Sequence, residues 1–187
     1  MALTTLDPNT ALIVIDLQNG IVALPTAHST GEVVQKSRVL LDAFRAHQLP
    51  VVLVNVAGVA PGRNEQPRHS GAFPDGWTDL VPELNQQPQD HLVTKRTWGA
   101  FTGTDLEQYL KGRGVTQVVI VGVATSIGVE STARQASELG FNVTFGVDAM
   151  TDLNADAHHN SITRIFPRLG ESGTTAEIVA LLGQTRA

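Results

Sequence analysis

The chain has 187 residues, 42% of them hydrophobic and 17% charged, which fits one α/β domain over residues 1–187 with a core large enough to need no staple. Its net charge of -5 argues against a general nucleic-acid or anionic-membrane surface, since both reward a basic face, and points to a small-molecule partner. There is no cysteine, which excludes disulfides and any thiolate nucleophile or metal ligand, and with neither a membrane-length apolar run nor a basic-then-apolar leader pattern the expected address is the cytoplasm.

Ala11–Ile15 (ALIVI) is a short, continuous, β-branched-rich run, the pattern of a strand covered on both faces of a parallel sheet. Asp16 follows directly. It is either a site acid at the carboxyl end of the first strand, where open α/β sheets build ligand crevices, or a turn residue beside Gln18, Asn19 and Gly20. A helix is expected over Glu32–His47 and a strand over Val51–Val54. Val56–Gly76 is rich in Gly, Pro and polar residues without a period; it reads as a lid, an oligomer contact or a plain surface loop. His91–Thr94 is a weaker strand. Lys95 follows it as Asp16 follows the first, and strand-end placement favours a site over a surface lysine with a snorkelling stem.

A helix over Asp105–Arg113 is capped by Thr104 and ended by Gly112 and Gly114. The strand Val118–Val121 leads through the loop Gly122–Ile127 into a helix over Gly128–Leu139. Such a loop offers backbone NH groups and a helix dipole to an anion or a developing oxyanion. Its Gly-x5-Gly spacing is neither a Walker loop nor a dinucleotide fingerprint, so no phosphate cofactor is expected. A strand over Phe141–Phe145 and a helix over Ala155–Arg168 come next, then a T-x-x-E capping box of Thr174 and Glu177 ahead of Ile178–Leu182. His158 and His159 are adjacent on a helix and point to different sides; with His69 in the loop, they read as satisfied or solvent-facing, and no metal is expected. Ser126 and Ser131 lie in no G-x-S-x-G elbow. Alternating strands and helices imply a parallel sheet wrapped on both sides by right-handed crossovers.

Three segments taken together, IDLQNG with Asp16, TKRTWGAF with Lys95 and GVATSIGVESTARQASELG with Gly128, resemble the isochorismatase-like hydrolase superfamily over residues 10–182. The resemblance implies a three-layer α/β/α fold whose six-stranded parallel sheet runs 3-2-1-4-5-6, with the ends of strands one and four adjacent at the switch point. It also implies a non-proline cis peptide between Val123 and Ala124, and a homo-oligomer, dimer or larger. Most members have Cys where this chain has Gly128 and hydrolyse amides with an Asp, Lys, Cys triad. Glycine there resembles the isochorismatases proper, in which the Asp protonates a vinyl ether. The elbow Ala124-Thr125-Ser126 is closer to the thiol-using relatives.

What the resemblance implies here is hydrolysis of a small anionic molecule, with Asp16 as general acid or base, Lys95 orienting the substrate and the amides of Ala124 to Gly128 holding negative charge. Gln18, Trp98, Phe101, Ala124, Thr125 and Ile127 would bind substrate, and Arg63, Gln66 and Arg68 are candidates to hold its carboxylates. To act as an acid, Asp16 needs a raised pKa. Burial beside Ile15 and Phe101 would raise it, and Lys95 would oppose this unless paired with a substrate carboxylate. The competing expectation is an inactive relative serving as a small-molecule-binding or oligomeric scaffold.

Overall fold

The computed structural model describes residues 3–65 and 71–185; Gln66, Arg68 and His69 therefore lie outside the described residues. Each apolar run becomes a strand: β1 Thr10–Ile15, β2 Val51–Val56, β3 His91–Lys95, β4 Gln117–Val123 and β5 Asn142–Thr151. A short β6, Glu171–Gly173, completes a six-stranded sheet in the order β3-β2-β1-β4-β5-β6, with every neighbouring pair parallel. Three residues are too few to show a period, which is why β6 leaves no mark of its own in the sequence. β5 runs beyond the expected end at Phe145 to Thr151, because pairing with β4 resumes at Met150 and Thr151 after a shift in register.

The helices are α1 Asn19–Val22, α2 Thr30–Ala46, α3 Leu106–Gly112, α4 Glu130–Glu138, α5 Ala155–Asn160 and α6 Thr175–Thr185. Alternate strand residues face opposite layers, as the two-residue period requires. Leu12, Val14, Val119 and Val121 pack with Leu40 and Phe44 of α2 and Ile178 of α6. Ala11, Ile13, Val118 and Ile120 pack with Leu106 and Leu110 of α3 and Ala133 and Ala136 of α4. Among the described residues no helix is long and apolar enough to cross a membrane.

Two expected helices have different internal structure. The segment expected to be helical from Gly128 opens earlier, with a wide π turn over Thr125–Val129 that passes into α4. The stretch Ala155–Arg168 breaks into α5, a second π turn over Ser161–Ile165 and a 3-10 turn over Phe166–Arg168. Pro167 lies in that last turn and has no N–H to continue an α-helical ladder. The helix ends largely follow the local chemistry. Thr174 Oγ1 accepts from the Glu177 amide at 3.3 Å while the Glu177 carboxylate accepts from the Thr174 amide at 2.7 Å, a closed capping box. Thr104 Oγ1 accepts from the Leu106 amide at 3.4 Å, although the helix itself starts only after Asp105.

The contact between β1 and β4 brings the ends of the two strands together. Ile15 pairs with Gly122, whose φ is +119°, and a Cβ added there would meet the Ile15 carbonyl oxygen at 2.1 Å. Only glycine fits both the conformation and the space. Just beyond, Asp16 is left-handed with φ of +52°, and the Val123–Ala124 peptide is cis. Gly122→Ala is expected to destabilise the fold by about 3 kcal/mol or more, through forced separation of β1 and β4. Urea unfolding of the variant checks this, and a midpoint within error of wild type would refute the close approach.

Candidate active site

The carboxyl ends of β1, β3 and β4 meet at one cavity of about 260 Å³. Lys95, the last residue of β3, reaches past β2 to Asp16, with Nζ 2.7 Å from Oδ2. The same ammonium donates to the Thr97 carbonyl at 3.2 Å. Both side chains are buried, Asp16 at 5% exposure and Lys95 at 2%. The other carboxylate oxygen of Asp16, Oδ1, is also buried and has no hydrogen-bond partner among the described residues. Burial raises the Asp16 pKa from 3.8 to about 6, against the lowering effect of the Lys95 charge and its hydrogen bond. The expected conflict between burial and lysine is thus decided for burial, with Lys95 paired to Asp16 itself.

Gly128 sits opposite this pair, in the π turn. A Cβ added to it would lie 3.3 Å from Asp16 Oδ2 and 2.9 Å from Ile15 Cγ2. Any side chain at 128 would therefore emerge beside the carboxylate, and Ile15 already crowds the position where it would begin. Trp98, Ala124 and Ile127 line the same cavity, so of the nine residues that the resemblance assigns to catalysis or substrate binding, the carboxylate-holding candidates aside, six converge: Asp16, Lys95, Trp98, Ala124, Ile127 and Gly128.

The other three are engaged elsewhere. Gln18 is fully buried, and its side-chain amide accepts from the Val56 amide at 2.7 Å and donates to the Val56 carbonyl at 3.0 Å. It stands in for a peptide group beside the end of β2, where β1 has already ended. Thr125 donates to the Thr151 carbonyl at 3.0 Å, so the nearby His158 Nδ1, 2.8 Å from the same hydroxyl, must be the donor in that contact. His158 is accordingly a satisfied residue, its pKa lowered by burial and by His28. Phe101 packs in the apolar layer of α3 and α4 against Phe141 at 6.1 Å and does not line the cavity.

The amides of the elbow are partly committed too. That of Ser126 donates to Asp152 Oδ2 at 2.7 Å and that of Ile127 to the Ala124 carbonyl at 3.1 Å. Neither is available to a substrate anion while those bonds persist. Arg63 is exposed and is not part of the lining. Among the described residues no group of three or more His, Asp or Glu side chains could hold a metal ion.

Several wall residues lie outside the sequence motifs. Val56 ends β2, Val59 and Phe73 come from the long segment that follows it, and Trp77 comes just after that segment. The Trp77 indole lies over Gly20, where an added Cβ would come within 2.0 Å of the ring, and it stacks on Phe73 with centroids 4.1 Å apart. Gly20 in the sequence is the one local signal that something large passes over the turn after Asp16. The excursion Val56–Gly76 thus contributes cavity wall at both of its ends.

Residues 10–177 match the family model described as the isochorismatase domain. An uncharacterized isochorismatase family protein of Bacillus subtilis (strain 168), YwoC, is 44% identical, with 91% of this chain and 92% of that protein covered. Nicotinamidase 3 of Arabidopsis thaliana is 30% identical, with 85% and 83% covered. Among solved structures, an isochorismatase family protein from Burkholderia thailandensis has a TM-score of 0.92 and 44% identity, covering 96% of this chain and 98% of its own.

The Asp16 carboxyl carbon is expected to titrate near pH 6 in a 13C NMR series, and higher still in Lys95→Met, where the opposing charge is gone. Between the ordinary carboxyl pKa and 6, the folded state holds a proton that the unfolded chain has released. Stability from this residue is therefore full below about 4 and falls as the pH rises through about 6. An Asp16 titration at or below 4 would refute the dominance of burial.

Proposed function

The chain belongs to the isochorismatase family, and from that membership we propose that it hydrolyses a small molecule by acid–base catalysis at Asp16, with no covalent intermediate at position 128. The observation that carries this reading is the Asp16 carboxyl group: buried in a cavity, tied through Oδ2 to Lys95, with Oδ1 left without a partner and a pKa of about 6. A buried polar atom with no partner costs the fold free energy, so an unpartnered carboxylate oxygen on a residue that lines a cavity supports a role in taking a ligand.

The two oxygens divide the work. Oδ2 accepts from Lys95 and is held; Oδ1 carries the proton when Asp16 is neutral. At pH 7 a pKa near 6 leaves about one molecule in ten protonated, enough for a general acid with a useful driving force. With a vinyl ether as substrate, Oδ1 gives its proton to the alkene carbon remote from the ether oxygen, that oxygen stabilises the cation left on the carbon bonded to it, and water adds to this second carbon. The hemiketal formed then collapses to a ketone and an alcohol, and the proton released returns to the Asp16 carboxylate. Lys95 has three N–H groups, two of them directed to Asp16 and Thr97; the third orients an oxygen of the substrate.

Glycine at 128 suits such a reaction, because a carbon attacked by water needs an open approach beside the acid. The contact of Ile15 Cγ2 with the place of a Cβ also supports it: these surroundings accommodate glycine and would have to shift for cysteine.

A panel of vinyl ethers, amides and imides assayed with the wild-type protein tests the proposal. Asp16→Asn is expected to lower kcat by about 10²- to 10⁴-fold on whichever compound is turned over, with the circular dichroism spectrum unchanged. For a vinyl ether, kcat/KM should fall as the pH rises through about 6, since the acid form is the active one. A rate that rises instead assigns Asp16 as a base, and full activity in Asp16→Asn removes it from the mechanism. Gly128→Cys should slow the native reaction; new amidase activity in that variant, from a parent with no activity, would favour the scaffold reading.

A further inference from the structure

We propose that the cavity takes an uncharged molecule with a flat apolar body, held against the indoles of Trp77 and Trp98, in place of the anion expected from the sequence; this rests on the cavity being the active site. Charge is the first reason. Among the described residues that line it, Asp16 and Lys95 are the charged ones, and they satisfy each other at 2.7 Å. An arriving carboxylate would leave water for a site where the single cation already has an anionic partner, and would face that partner's charge as well.

The rim gives the second reason. Leu24, Val59, Trp98 and Leu153 all line this cavity and are between 39% and 62% exposed. They are four of the six large hydrophobic residues that stand exposed among the described residues. Exposed apolar side chains scattered singly need no explanation, whereas apolar residues gathered at one mouth mark a surface that a ligand covers. Inside, Trp77 is held by its stack on Phe73 and by its seat over Gly20, which presents a rigid aromatic wall.

Size is the third. An apolar cavity of about 150 Å³ is enough for benzene, so about 260 Å³ admits a ring with one substituent of a few atoms. The polar end of such a molecule, an ether or carbonyl oxygen, would face Asp16 and Lys95, and its apolar body the rim.

Benzamide and benzoate are nearly equal in shape and differ in charge, and the chain's two tryptophans, Trp77 and Trp98, both line the cavity, so their fluorescence reports its occupancy. At pH 8, benzamide is expected to bind saturably and about tenfold or more tighter than benzoate. Equal or tighter binding of benzoate overturns the proposal, and so does the absence of saturable benzamide binding. Trp98→Ala, with Trp77 left to report, should weaken benzamide by about fivefold or more; an unchanged affinity overturns the role given to that indole. Neutral selectivity together with full turnover by Asp16→Asn would uphold the ligand class while removing the acid–base mechanism, which keeps the two failures apart.

Discussion

A lysine and an aspartate that are both sealed from water hold the carboxyl end of the sheet in one arrangement. Removing either ion from water costs several kcal/mol, and their attraction at 2.7 Å offsets this only while the two stay in contact. Because Lys95 ends β3 and Asp16 follows β1, the contact spans β2 and ties strands that do not pair with each other. It also sets the chemistry. The ammonium keeps one carboxylate oxygen occupied, burial keeps the pKa high, and the second oxygen is left buried without a partner among the described residues.

Around this pair the polar contacts act as struts. Gln18 completes hydrogen bonding at the end of β2, Asp152 takes the Ser126 amide, and the Thr125 hydroxyl joins the β5 carbonyl of Thr151 to His158. Each satisfies backbone or side-chain groups that would otherwise be buried without partners at the elbow. They explain why residues adjacent to catalytic candidates in sequence can be fully committed to structure. Gln18 lies two residues from Asp16 and Thr125 one residue from Ala124, yet their side chains hold the walls and leave the cavity to others.

Much of the architecture was legible because the strands have clear composition. Ala11–Ile15, Val51–Val54 and Val118–Val121 are apolar on both faces, which only a covered parallel sheet accommodates, and the capping box at Thr174 is a purely local matter. The site was legible at its strand ends and its motifs. It was less legible in its walls, since Trp77, Phe73 and Leu153 carry no motif and reach the cavity through turns whose paths depend on contacts far along the chain. Phe101 shows the converse: an aromatic inside a site motif can pack, partly buried, against the apolar layer of α3 and α4 and away from the cavity.

By itself the sequence determined the chemistry that is possible. With no cysteine anywhere no thiolate can act, and strand-end placement of an acid and an amine follows from runs of apolar residues read locally. Only the tertiary structure decided how those groups stand to one another: that the amine pairs with the acid, that burial prevails over that pairing, and that apolar rings line the cavity they share. Proton affinity and selectivity depend on distances of a few ångströms and on exclusion of water, and both arise when segments far apart in the chain are packed together.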